Sequence, residues 1–177
     1  SDTTDGNASF TPIMGDANLI TVNFNPAADR LRVISNTGQN LRINVDTGAT
    51  ITDGTINLAT GSAAVVAGAY TNAFAGTGST KLFSIDQNSD RIYLQNANAG
   101  TLGNSTALGA DINTNGGGGF DIDPVNNVGF AALKLASGNY KFFRLNLANV
   151  GTSSDAVFES HDLNNSFNSM GIRGIAL

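Results

Sequence analysis

Three features predict an all-β, β-propeller-like array of about three four-stranded antiparallel blades plus an extra C-terminal strand: apolar residues alternating with polar ones, Asn/Gly turn chemistry after each short run, and a recurring unit. The alternation has period two, so each run reads as a strand with one face in a core. The turn residues tolerate the positive φ that tight hairpins demand. The unit recurs at roughly 45 to 54 residues, the span of one four-stranded blade. No segment carries a convincing helical period.

The first unit spans about residues 18–62, with strands at 18–24 (NLITVNF), 30–35 (RLRVIS) and 40–45 (NLRINV). Turns at Asn36-Thr37-Gly38 and Asp46-Thr47-Gly48 punctuate them. The second unit, about 63–115, has strands at 64–70, 81–86 and 91–95, with a turn at Gly76-Thr77-Gly78. The third, about 116–170, has strands at 118–122, 128–136, 140–147 and 155–159, with turns at Gly116 to Gly119 and Ser137-Gly138-Asn139. The segment Asn23 to Asp29 returns as Phe120 to Asn127, each followed by an apolar strand, a Gly-containing turn and a further strand. A final strand is predicted at 171–177, and residues 1–17 read as a polar segment whose Phe10 to Met14 stretch is a candidate strand-exchange arm.

Composition narrows the function. The chain has 177 residues, 41% apolar and 13% charged, where soluble domains are typically about 25% charged. The length suits one domain with a continuous core, and the absence of Cys excludes a disulfide scaffold. No run approaches the roughly 18 apolar residues of a membrane-spanning helix. With 9 basic and 14 acidic residues, the chain has no electrostatic footprint for nucleic acid or an anionic membrane. Its acidic, Asn/Thr/Ser/Gly-rich character points to an extracellular or cell-surface protein, and the small, polar start at Ser1 to Ser9 points to processing ahead of it.

From Asn23-Phe24-Asn25-Pro26 through Asp29-Arg30-Leu31-Arg32-Val33, Thr37 to Ile43 and Asp46-Thr47-Gly48-Ala49, the chain resembles the bacterial family named domain of unknown function 4394. The resemblance continues through Ala69 to Asn72, Leu82 to Asp86, Asn98 to Leu102, Gly119 to Ile122 and Ile172 to Ala176. It implies a propeller-like, secreted or surface-exposed repeat protein with no attached catalytic residue. It also implies another blade or more ahead of Asn23. A closed propeller normally needs at least four blades. The expectation is therefore that further blades precede the chain or that copies complete one another.

The second alternative makes the terminal strand an assembly element, with Ile172, Arg173, Ile175 and Leu177 adding to the sheet edge of another copy. Burying its three large apolar side chains would contribute on the order of 5 to 9 kcal/mol before ordering costs. A head-to-tail contact of that kind builds a filament. The sequence-level expectation is thus a self-assembling structural or adhesive surface protein, not an enzyme, with copies of itself as partner. The alternative is a module that binds glycans or proteins.

Candidate chemistry is sparse. His161, in Glu159-Ser160-His161-Asp162, is the sole histidine and reads as a solvated loop residue, with no G-x-S-x-G elbow in the chain. Zinc lacks a ligand set, and Gly116 to Gly119 lacks the Lys-Ser/Thr of a phosphate loop. Calcium is the candidate cofactor, because carboxylates and Asn carbonyls are its ligands. Asp121 and Asp123, with Asn126 and Asn127, form one candidate set, and Asp86 and Asp90 another; ordinary turn capping accounts for the same residues. Asp29/Arg30 and Asp90/Arg91 are predicted surface ion pairs. Phe24, Phe83 and Phe142 are assigned to sheet cores, and Tyr70, Tyr93 and Tyr140 to blade rims where sugars could stack. Sequons at Asn7, Asn104 and Asn164 are candidate glycosylation sites in predicted loops.

Overall fold

The computed structural model describes residues 20–113, 118–163, 172 and 174–177. Within these it forms three four-stranded antiparallel sheets and one 3₁₀ turn at Leu147–Asn149. The first sheet contains β1 (Ile20–Asn25), β2 (Arg30–Ser35), β3 (Asn40–Ile43) and β4 (Thr50–Thr52) in sequential order. The second contains β5 (Val65–Tyr70), β6 (Leu82–Asp86), β7 (Arg91–Gln95) and β8 (Leu102–Ala107). The third contains β9 (Gly118–Ile122), β10 (Val128–Lys134), β11 (Tyr140–Asn146) and β12 (Val157–Asp162).

One turn device builds most of the hairpins. Asn25 Oδ1 accepts from the amides of Ala27 and Ala28, Asn44 Oδ1 from Asp46 and Thr47, and Asn96 Oδ1 from Ala99. Asp86 and Asp123 act likewise through Ser89 N–H and Val125 N–H. Four residues after each acceptor the backbone has positive φ, at Asp29, Gly48, Asp90, Gly100 and Asn127. Short polar side chains that satisfy the turn and tolerate this conformation explain why Asn, Asp and Gly recur at that spacing.

The core lies between sheets. Phe83, Ile85 and Ile92 meet Phe120, Ile122, Ala131, Leu133, Phe143 and Leu145 between the second and third sheets. A smaller cluster, including Ile34, Val65, Tyr70, Leu82 and Tyr93, joins the first and second. The first strands of neighbouring sheets are fastened by side chain to backbone bonds. Thr21 Oγ1 accepts from Gly68 N–H at 2.8 Å, and Asn23 Oδ1 accepts from Tyr70 N–H at 3.0 Å. Asn72 and Asn127 form a reciprocal clasp between the second and third sheets.

Several expectations change. Strands β4 and β8 were not predicted by alternation. His161 lies on β12, not in a loop. Phe83 is buried, whereas Phe24 is exposed and Phe142 half-buried on outward faces. Residues 174–177 join no ladder, although a strand is predicted there. They run beside β9, where Gly119 lies too close to Gly174 and Ile175 to admit a Cβ. Leu177 N–H donates to Asp121 Oδ2 at 2.8 Å, as Tyr70 N–H donates to Asn23. Asn23 and Asp121 hold equal places in the repeat, so Leu177 stands to β9 as Tyr70 stands to β1. Ile172 and Ile175 are half-buried and Leu177 is 64% exposed; Arg173 and the Phe10 to Met14 stretch lie outside the described residues.

Candidate functional site

The carboxylates singled out for calcium accept hydrogen bonds within the chain, Asp86 and Asp123 at turns and Asp90 and Asp121 from distant backbone amides. Asp86 is fully buried; its Oδ1 accepts from Ala64 N–H, and its Oδ2 from Ser89 N–H and Ser89 Oγ–H. Asp90 Oδ1 accepts from Ile112 N–H at 2.7 Å. Asp121 Oδ2 holds Leu177, and Asp123 accepts from Val125 N–H and Asn126 Nδ2–H. Among the described residues no three of His, Asp or Glu converge on a cation site. Turn capping accounts for the bonds of Asp86 and Asp123, and distant backbone amides account for those of Asp90 and Asp121.

The Val125 amide and then the Asn126 side chain lower the Asp123 pKa below its ordinary value. A folded-state pKa lowered in this way contributes stability above the unfolded pKa, which is lost as pH falls through the folded one. Asp123→Asn is expected to flatten the acid side of the stability profile as pH falls through and below the ordinary carboxylate range, read as a smaller fall in Tm than the parent shows. An unchanged acid limb would refute the assignment.

The Asp29/Arg30 and Asp90/Arg91 ion pairs do not form. Arg30 donates to the carbonyls of Ala28 and Asp29, and Arg91 to Ser105 Oγ and its carbonyl. The two aspartates serve the positive-φ position of the turn, which directs their carboxylates elsewhere. The buried ion pair lies at Arg32 and Asp53, a residue pair absent from the candidates above. Arg32 Nη1 donates to Asp53 Oδ2 at 2.6 Å, with side chains 2% and 6% exposed. Asn40, Tyr70 and Asn98 accept the remaining Arg32 bonds. Arg42 grips both Asp53 oxygens, and that hydrogen bonding raises its pKa further. This network ties the first sheet to the second.

Tyr70, Tyr93 and Tyr140 are buried and offer no stacking platform. The Tyr70 hydroxyl accepts from Arg32, and that of Tyr93 meets Ser89. Asn104 is exposed but lies on β8, not in a loop; Asn7 and Asn164 lie outside the described residues. His161 is 68% exposed, 3.9 Å from Glu159, and lines neither of the cavities described next.

Two cavities open where the β5–β6 loop leaves the second sheet. One, of about 610 Å³, is bounded by the ends of β1, β5 and β7 and the starts of β6 and β8; Tyr70, Gln95, Asn96 and Asn104 line it. The other, of about 410 Å³, lies between the second and third sheets against Asn72, Asn127 and Asn146. They meet at Thr80 and Lys81, which line both. Gln95 is 4% exposed, and its Oε1 accepts from Ser84 Oγ at 2.6 Å, while its Nε2 is buried with no partner among the described residues. Such a donor costs about 1–3 kcal/mol when left unsatisfied. No local pattern signals it, because Gln95 ends an ordinary strand.

Repeated four-stranded sheets with their first strands side by side define a β-propeller-like module. The family described as Domain of unknown function (DUF4394) matches residues 2–171, and the chain belongs to that family. No curated protein matches. The fold is similar to the structure of U3-55K, with a TM-score of 0.51 and 13% identity, covering 86% of this chain and 42% of that one. The Myceliophteria thermophila Cps50 (Swd1) beta-propeller domain gives a TM-score of 0.43 and 15% identity over 81% of this chain and 38% of that one. Kuenenia stuttgartiensis hydrazine synthase gives 0.41 and 14% over 89% and 53%. The chain thus spans 38 to 53% of the length of these structures.

Proposed function

We propose that the chain is an exported, non-catalytic β-propeller module of adhesive type that binds a polar ligand, a glycan or a protein, on the side carrying the two adjoining cavities. The observation that carries this reading is the buried, unpartnered Gln95 Nε2 in the wall of the larger cavity. A convergent polar group in a cavity within the range of about 300–1,000 Å³ fits a binding site. Export is supported by the low charge and the Asn/Thr/Ser/Gly-rich surface chemistry. On an immobilised panel of neutral and acidic polysaccharides and cell-surface proteins, the chain should be retained by at least one member. Thr101→Trp, at an exposed rim position, should reduce retention at least about tenfold with unchanged Tm. No retention on any member overturns the reading.

Head-to-tail assembly of copies into a filament is a second reading, favoured by a different observation. The outward face of the first sheet carries Val22 and Phe24, 54% and 40% exposed, and that of the third carries Phe130, Phe142 and Phe158. Apolar surfaces at opposite ends suit a heterologous contact. Val22→Asp together with Phe24→Asp, or deletion of 171–177 for the strand-donation form, should abolish concentration-dependent sedimentation of polymers. Polymers that persist in both variants, or a monomer at all concentrations in the parent, refute it.

A further inference from the structure

The two cavities differ in wall chemistry from the rest of the surface. The chain carries 14 acidic against 9 basic residues, yet no carboxylate lines either cavity. Lys81 is the one charged residue among their lining residues, it lines both, and it has no ion-pair partner among the described residues. Lys81 is exposed and lies where the two cavities meet, among lining residues rich in Asn, Thr and Ser. Gln95 adds a buried amide donor that has no partner among the described residues.

Resting on the reading that this side is the ligand face, we propose that the two cavities form one groove for an acidic polysaccharide, a chain of sugar hydroxyls bearing carboxylates. Amides and hydroxyls exchange donors and acceptors with sugar hydroxyls, while an unpaired ammonium supplies a charge-assisted bond to one uronate carboxylate. Gln95 Nε2, which solvent does not reach, would recover a hydrogen bond only by turning into the groove to donate to a sugar oxygen. The one cation engages one uronate carboxylate, and the neighbouring uronates keep theirs in solvent.

The test compares polygalacturonate, the same polymer fully methyl-esterified, and dextran, by titration calorimetry on the whole chain. Polygalacturonate should bind, and the esterified polymer and dextran should bind at least about tenfold more weakly, the loss of one charge-assisted contact. Lys81→Gln should lose about the same factor and Lys81→Arg should retain affinity. Gln95→Met should weaken all polymers alike, with folding checked by circular dichroism. Equal binding of the esterified polymer, or an unaffected Lys81→Gln, overturns the acidic assignment while leaving the ligand face intact. Binding of none of the three polymers overturns the acidic assignment; the wider panel, with its protein members, then decides the ligand-face reading separately.

Discussion

Asp53→Ala is expected to destabilise the fold by about 3–5 kcal/mol, measured as a fall in the urea midpoint at unchanged slope. The substitution leaves the Arg32 guanidinium, 2% exposed, among the neutral oxygens of Asn40, Tyr70 and Asn98. A buried cation without a counter-charge bears its full desolvation cost, and Arg42 loses its partner at the same time. Arg42→Ala should cost much less, because Asp53 keeps Arg32 and the Arg42 side chain is already 29% exposed. The double substitution Arg32→Met, Asp53→Leu should recover most of the loss, since a packed apolar pair replaces a buried ion pair at little cost. A loss below about 1 kcal/mol for Asp53→Ala would mean that the pair is open to water.

That pair also shows where the sequence stops being readable. In Arg30-Leu31-Arg32-Val33 the arginines occupy alternate positions and read as solvent-facing. In stacked sheets both faces of a strand are covered, and the face opposite Leu31 and Val33 is the one against the second sheet. Arg32 is therefore interior, and its partners Asp53, Tyr70 and Asn98 come from distant segments that no local pattern connects. The turns were legible because their chemistry is local: an acceptor and a positive-φ residue four positions later suffice. Strands β4 and β8 were not, because they lie outermost in their sheets, short in one case and mostly small and polar in the other. The cavities escaped for a similar reason. Gln95, Lys81 and Asn146 are unremarkable in sequence and gain meaning only when three strand ends meet.

Gly100→Ala is expected to cost about 2–5 kcal/mol, through two separable causes. Gly100 has φ +75°, where a Cβ costs roughly 1–2 kcal/mol. The Cβ would also collide with the carbonyl oxygens of Gly54 and Thr55, backbone atoms that cannot swing aside, for about 1–3 kcal/mol more. The segment after β4 crosses the β7–β8 turn at this point: Gly54 N–H donates to Asn98 O, and Asn57 N–H to Gly100 O. Forcing the strands apart would break both bonds and loosen Asp53, one residue before Gly54. Gly61→Ala supplies the control, since Gly61 has φ +81° with no atom near its Cβ position. It should show the conformational cost alone. The excess of Gly100→Ala over Gly61→Ala in urea unfolding then measures the close approach of the first sheet's exit segment to the second. Equal costs would place the linker away from the turn, and with it the interior position of Asp53.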